Sequence, residues 1–471
     1  MNDSDRQGGA PPLDPSLNSE SPVLGRRHLL GGGLLMAGAA MSGREARAAD
    51  SLKGDVPQLK GDDPAGPKIE IKKSYRALIR RNYETPAKIE TVKLLPFGGR
   101  QVLVRNTANQ CCYTDTGTIL GPPLWLVKRP FPLIIGHGGM GVVEAVGPEV
   151  KSLKPGDKVL IACTAQCGLC YNCIRGRSDA CYANFLQQGP VAVTSDGIPI
   201  VQQNGIGGLA EYTVSYEERL VPYFTDRSDE EMSLLIDVAS TGLGMTCALH
   251  QIESGSSVVI FGCGPIGLSA VQGAKIQGAS RIIVVEPVAM RRQLALKFGA
   301  TDALDPNAFQ ADGLVQRIRE MCRGKTDRLF AGGRPDTAFG LGPDYVLEAV
   351  GRQRYQPKVE SARDPTGLEA LRQAFDLIPS GGWGMFCGGF AADDVFQLNA
   401  GRFTNGSKTI VSCQNGGIQT RRDIPRFIRL LEEGKFDAKS MVSEVVGFDD
   451  VVKAYQHVAD RTVITAVVKF G

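Results

Sequence analysis

The sequence is short of long apolar runs, of blocks of like charge and of histidine, and each shortage closes off a class of function. No stretch approaches the ~20 apolar residues that a bilayer-crossing helix takes, so no stable membrane span is expected. The 53 basic and 50 acidic side chains leave a net charge of +3. With no basic block among them, nucleic acid is excluded as a partner. Only four histidines occur in 471 residues, so any chemistry that needs an imidazole has few places to be. One of the four, His28, falls in an N-terminal leader, which leaves His137, His250 and His457.

The leader begins with Gly25-Arg26-Arg27-His28-Leu29-Leu30 and continues as an apolar run to Met41. That run is about 13 residues, too short to span a bilayer. Ala46-Arg47-Ala48 then supplies a small-residue cleavage site. Residues 1–48 therefore read as a twin-arginine export signal, with a mature chain starting near Ala49 that reaches the periplasm already folded. Residues 49–68, rich in Gly, Pro, Asp and Lys, read as a linker or arm.

At this length more than one core is expected, since ~150 residues per domain is the usual scale. From Ile69 the pattern turns to short β-rich segments such as Tyr75–Arg80, Ile89–Leu94 and Gln101–Val104, separated by Pro and Gly turns. Gln110-Cys111-Cys112-Tyr113-Thr114-Asp115-Thr116-Gly117 follows, then an apolar strand ending in Gly136-His137-Gly138-Gly139. Twelve cysteines are present. Four of them, Cys167, Cys170, Cys173 and Cys181, form a CxxCxxCx7C array. Four thiolates so spaced can enclose one tetrahedral Zn²⁺ with no position open, which makes a structural site. Two disulfides are the competing reading, and the tight knuckle spacing favours metal.

The longest coherent motif starts at Val258-Val259-Ile260-Phe261, a buried strand, and turns through Gly262-Cys263-Gly264-Pro265-Ile266-Gly267 into an apolar helix. A second strand, Arg281–Val285, ends in Glu286. This is the dinucleotide fingerprint: Gly262 for the turn, Gly264 for approach of a pyrophosphate, Gly267 for helix packing, and Glu286 for the adenosine ribose.

These motifs, in this order, resemble the zinc-containing medium-chain alcohol dehydrogenases. Lys154-Pro155-Gly156-Asp157-Lys158-Val159, Gly208-Leu209-Ala210-Glu211-Tyr212 and Ser240-Thr241-Gly242 extend the likeness over nearly all of Tyr75 to Phe470. The resemblance implies an α/β chain: a β-rich GroES-like catalytic domain at 69–239, a doubly wound Rossmann domain at 240–401, and a return to the first domain at 402–471. It also implies two Zn²⁺ per chain and NAD. The catalytic zinc would be held by Cys112, His137 and Asp237, the last three residues before the Ser-Thr-Gly turn; helix capping is the competing role for Asp237. Thr114 matches the hydroxyl that takes the substrate proton. Pro265, Ile266 and Arg291 join the glycines and Glu286 in the cofactor site, where Glu286 opposes a 2′-phosphate and Arg291 and Arg292 soften that preference.

Three positions depart from the family pattern. Gly138 stands where a glutamate usually follows the histidine, Gly117 replaces the relay histidine, and Tyr113 replaces a residue, often basic, that touches the pyrophosphate. Two polar stretches, 323–343 and 352–367, exceed the family length and could cover the cofactor or build an interface. The loop 120–131, with Trp125, is a candidate substrate wall.

The expected activity is hydride transfer between an alcohol or aldehyde and NAD(H) by an exported enzyme, commonly a dimer or tetramer. Free NAD⁺ is not expected outside the cytoplasm, so the cofactor is expected to travel tightly bound and to be reoxidised in place by a second carbonyl substrate or an electron carrier. An aldehyde dismutase or a sugar or polyol dehydrogenase is the nearest alternative. A binding or sensory protein on the same fold is the rival class; the missing glutamate and histidine favour it, and retention of Cys112, His137, Asp237 and Thr114 opposes it.

Overall fold

A computed structural model describes residues 66–121, 132–185, 189–310, 312–322, 342–391, 393–404 and 406–471. They lie within one compact unit, Leu59–Gly471. The leader, nearly all of the arm, almost the whole 120–131 loop and most of the 323–343 insertion lie outside the described residues.

The β-rich part is built from a small closed barrel and a seven-stranded, mainly antiparallel sheet. Its central strand β1 (Gln101–Gln110) pairs with the segments Gly139–Val146, Tyr212–Tyr216 and Thr465–Lys469. Paired on both edges, β1 buries Val102, Leu103, Val104 and Ala108 completely. Its last residue leads straight through Cys111 to Cys112, the N-cap of α1 (Tyr113–Leu120). On the neighbouring strand β2 (Gly139–Val146) the chain enters directly after His137-Gly138. Two adjacent strands of one rigid sheet thus deliver two of the candidate ligands.

The third arrives on α2 (Val238–Cys247), all ten residues of which are buried. A helix buried on every side, its hydroxyls being only those of Ser240, Thr241 and Thr246, belongs inside a core. Val238, Ala239 and Leu243 sit in the same hydrophobic cluster as Cys112, Met140 and Leu160 of the first sheet and Val258 and Ile260 of the next. Each such aliphatic side chain contributes ~1.5–3 kcal/mol on burial, so α2 is fixed between the two sheets by its packing.

Beyond α2 comes β3 (Ser257–Phe261), α3 (Pro265–Ile276), β4 (Arg281–Val285), α4 (Ala289–Phe298) and β5 (Asp302–Leu304), then β6 (Tyr345–Glu348), β7 (Trp383–Phe386) and β8 (Thr409–Ser412). They form a six-stranded parallel sheet in the order β5-β4-β3-β6-β7-β8. The order reverses at β3, and the crevice outside the carboxyl ends at such a reversal is where nucleotides bind. The α/β class, with a GroES-like part and a Rossmann-like parallel sheet, is as the sequence implied. The boundary at 401 needs correction. Thr409–Ser412 pairs with β7, so the parallel sheet continues past that point. The first sheet is rejoined only at Val442–Gly447 and Thr465–Lys469.

Candidate active site

Cys112, His137 and Asp237 converge. Their ligand atoms lie within 4.8 Å of one another, and all three residues are buried. Asp237 occupies the N-cap position of α2, yet its side chain caps no backbone amide there. Its Oδ2 meets His137 Nε2 at 3.1 Å, and its Oδ1 accepts from Thr241 Oγ1 at 3.3 Å. One carboxylate oxygen is thus turned toward the histidine and the other toward a side-chain hydroxyl of its own helix, with no backbone amide capped.

On its other side, His137 Nδ1 meets Asp115 Oδ2 at 2.8 Å, and Asp115 Oδ1 accepts from Gln203 Nε2 at 2.7 Å. A carboxylate on the far nitrogen fixes the ring's orientation and raises its basicity as a ligand. Sequence reasoning missed both partners. Asp115 was visible next to Thr114 as part of the Cys-x-Thr-Asp segment, whereas Gln203, in a short 3₁₀ turn far along the chain, carried no signal. Burial works against charge on His137, but Asp115 and Asp237 outweigh it and hold its pKa well above the ordinary value. Burial and then the Asp237 charge push the Cys112 thiol up. A thiol, an imidazole and a carboxylate in one dry spot fit a divalent cation of the zinc kind with a fourth position open.

The four-cysteine lobe is gathered as well. Cys167, Cys170, Cys173 and Cys181 place their sulfurs within 4.8 Å of one another. The pairs Cys167–Cys173 and Cys170–Cys181 are each 3.9 Å apart. Zn–S bonds of ~2.3 Å at tetrahedral angles put sulfurs ~3.8 Å apart, whereas a disulfide needs ~2.05 Å. Backbone N–H groups of Leu169, Cys170 and Cys173 point at the sulfurs of Cys167 and Cys170, as a thiolate knuckle requires. The lobe has the donors and the spacing of a closed zinc site.

A cavity of about 370 Å³ joins Cys112 and Thr114 at one end to Gly262, Gly264, Pro265, Ile266, Glu286 and Arg291 at the other. Gly264 is the N-cap of α3 and Pro265 its first residue. A Cβ on Gly267 would lie 1.8 Å from the Gly262 carbonyl, so only glycine lets α3 sit this close to the turn. Glu286 is buried, its Oε2 accepting from the Cys263 N–H at 2.7 Å and its Oε1 from the Val288 N–H at 3.0 Å. The same carboxylate therefore braces the glycine turn. Glu348, at the end of β6, accepts from the N–H groups of Val350, Gly351 and Gly388, tying two further turns of the cleft together.

Residues 98–225 match the alcohol dehydrogenase GroES-like domain, and residues 265–433 match the zinc-binding dehydrogenase domain. Together the two matches span well over half of the chain. It belongs to the zinc-type medium-chain dehydrogenase family. Alcohol dehydrogenase 1 of Pisum sativum is 28% identical over 408 residues, covering 84% of this chain and 96% of its own. S-(hydroxymethyl)glutathione dehydrogenase of Haemophilus influenzae is 29% identical over 384 residues, covering 79% and 90%. Among solved structures, benzyl alcohol dehydrogenase from Acinetobacter calcoaceticus superposes with a TM-score of 0.70 at 26% identity, over 85% of this chain and all of that one. This zinc-type alcohol dehydrogenase is an oxidoreductase acting on CH–OH groups.

Within this dehydrogenase the positions that depart from the resembled pattern can be placed in the structure. A Cβ on Gly138 would fall 2.2 Å from Ile236 Cγ2, so the backbone as folded has no room for a glutamate. Gly117 is buried inside α1, so position 117 itself has no side chain to carry a proton. Thr114 is exposed in the cleft with Oγ1 3.3 Å from Cys112 Sγ. Tyr113 has become an anchor. Its hydroxyl accepts from the Arg354 N–H at 2.8 Å, and Arg354 Nη1 donates to the Tyr113 and Thr114 carbonyls. The stretch 352–367 is therefore a strap. The Tyr355 hydroxyl donates to Thr116 O at 3.3 Å and to Gly121 O at 3.2 Å. At the other end Asn307 donates to Ser361 O, and Arg363 donates to Asn307 O. Arg352, Gln353, Arg354, Arg363 and Asp364 line the cavity beneath.

Proposed function

We propose that this chain is an exported, NAD-dependent alcohol dehydrogenase that holds two zinc ions and retains its nicotinamide cofactor between turnovers. The observation that carries the reading is the strap 352–367, tied at one end to α1 beside Thr114 and at the other to the turn after β5, along a cavity with Cys112 at one end and Glu286 at the other. A cleft bridged at both ends suits a cofactor that stays. The leader motifs supply the reason for retention, since a dinucleotide lost outside the cytoplasm would not be replaced.

Cys112, His137 and Asp237 would hold the catalytic zinc, and Cys167, Cys170, Cys173 and Cys181 the structural one. When bound, zinc supplies a Lewis acid for the substrate oxygen and NAD⁺ a hydride acceptor. Asp115 and Gln203 keep the His137 ring turned toward Asp237. Thr114, able to accept and donate through one oxygen, takes the proton of the substrate hydroxyl. With glycine at 117 that proton passes to water in the cleft, where Thr114 is exposed. Glu286 disfavours a 2′-phosphate at the far end, so NAD is preferred over NADP.

A retained cofactor also favours a second reading of the substrate: one aldehyde oxidised and another reduced at the same site, as in a dismutase, with an electron carrier as the other means of reoxidation. By analogy with the resembled family the assembly is a dimer or tetramer. The test is to purify the mature protein without added nucleotide, record its absorbance, and measure released nucleotide and zinc. One NAD(H) and two zinc ions per chain are expected. An empty, freely exchanging nucleotide site overturns cofactor retention, and one zinc per chain overturns the two-metal assignment.

A further inference from the structure

Where the resembled family often has a basic residue after the cysteine, this chain has Tyr113, which brings no charge to the cleft. A dinucleotide brings two negative phosphates to the glycine turn, so the missing charge has to come from elsewhere. Arg461 lies two residues past the helix Val451–Ala459 and lines the cavity. Its backbone has φ +58°, the left-handed region that side chains other than glycine disfavour. Its guanidinium sits over the Tyr113 ring, 5.9 Å from the centroid, and makes no ion pair among the described residues. Across the cavity, Arg291 is 9% exposed and its Nε has no hydrogen-bond partner. Arg291 Nη1 lies 4.0 Å from where a Cβ on Gly264 would stand. Burial depresses the basicity of Arg291 most, Glu286 opposes it, and Arg461 is close enough to depress it further by a smaller amount.

An orphaned buried donor and two neighbouring like charges are each unfavourable without an anion between them, and the left-handed backbone at Arg461 is a cost the fold carries to hold that residue at the cavity. Glu286 offsets part of this charge on Arg291, but its two oxygens are bonded to backbone N–H groups and to neither guanidinium. We propose that Arg461 is the diphosphate-binding cation of this cleft, acting opposite Arg291 and supplying the charge that Tyr113 does not. The proposal rests on the dinucleotide reading of the cavity. The ring of Tyr113 then has two uses, anchoring the strap through its hydroxyl and supporting the Arg461 guanidinium through its face.

The test compares Arg461→Gly, Arg461→Asn and Arg461→Lys with the wild-type mature chain. NADH is bound, chased with excess ADP-ribose, and its release followed by nicotinamide fluorescence; ADP and adenosine are titrated separately as phosphate-bearing and phosphate-free probes. Release at least tenfold faster in Arg461→Gly and Arg461→Asn is expected, with ADP affinity reduced, adenosine affinity unchanged, and Arg461→Lys in between. Because glycine relieves the left-handed backbone, the unfolding temperature of nucleotide-stripped Arg461→Gly should equal or exceed that of wild type. Unchanged release and ADP binding, or equal losses for ADP and adenosine together with a lowered unfolding temperature, overturn the role of Arg461. Failure of the wild type to bind NADH at all overturns the dinucleotide reading instead.

Discussion

Replacing Arg354 by alanine tests whether the strap governs cofactor release. Its side chain donates to two carbonyls of α1, those of Tyr113 and Thr114, the former at 2.9 Å. A hydrogen bond from a charged donor is worth ~1.5–3 kcal/mol, and partial exposure brings the pair to about 2 kcal/mol in all. At ~1.4 kcal/mol per factor of ten, that predicts release about 30-fold faster if strap opening precedes release. Tyr113→Phe removes the hydroxyl that accepts from the Arg354 N–H at 2.8 Å and the Tyr355 N–H at 3.4 Å. That neutral contact is worth about 1 kcal/mol, or about fivefold. Both changes act on one contact, so the double variant should fall short of the product of the two effects. Stopped-flow fluorescence of NADH leaving the enzyme reads all three rates. Wild-type release from Arg354→Ala, with zinc content and unfolding temperature unchanged, would refute the idea that the strap holds the cofactor.

Three further outcomes are expected. Asp237→Ala should lower zinc from two to one per chain and abolish alcohol oxidation, as metal analysis and a substrate assay will show; unchanged zinc content sinks its assignment as a ligand. Cys170→Ser should also remove one zinc, but with a large fall in unfolding temperature, because a closed four-thiolate site contributes directly to folding. Glu217 is buried, which raises its pKa, but acceptance from the Ser152 hydroxyl and the N–H groups of Ser152 and Lys151 outweighs this and sets it below the ordinary value. A depressed carboxylate stabilises above its unfolded pKa of ~4.3 and loses that contribution as pH falls through the folded value. Glu217→Gln should thus lower stability at pH 7 by about 2 kcal/mol and flatten the acid limb of a thermal-denaturation profile, while parallel limbs would count against it.

Motifs whose residues act on one another through nearby backbone could be read from the chain. The glycine turn, the cysteine knuckle and the buried strands of the parallel sheet all place their parts within a few residues, so spacing carries the geometry. Asp237 is a different case. Its role turns on residues a hundred positions away, and only the resemblance pointed to it; the structure places it against His137. Gln203 and Arg461 had no local signal, since their relation to the site depends on how two sheets and a C-terminal helix come together. The strap was visible only as extra length. Its anchors, Tyr113 and the carbonyls of α1, lie over 200 residues earlier. Thr409–Ser412 escaped because a four-residue β-branched run gives little to distinguish a sheet edge from a loop.

The contact between Gly138 and Ile236 has a consequence for the engineering of this enzyme. A glutamate at 138 cannot be introduced by a single substitution without a shift, because its Cβ would collide with the stiff, β-branched Ile236. Residue 236 has to shrink first, and that step alone opens a void beside the candidate ligand Asp237. The two positions are therefore coupled through packing, and a side chain at 138 requires a compensating change at 236.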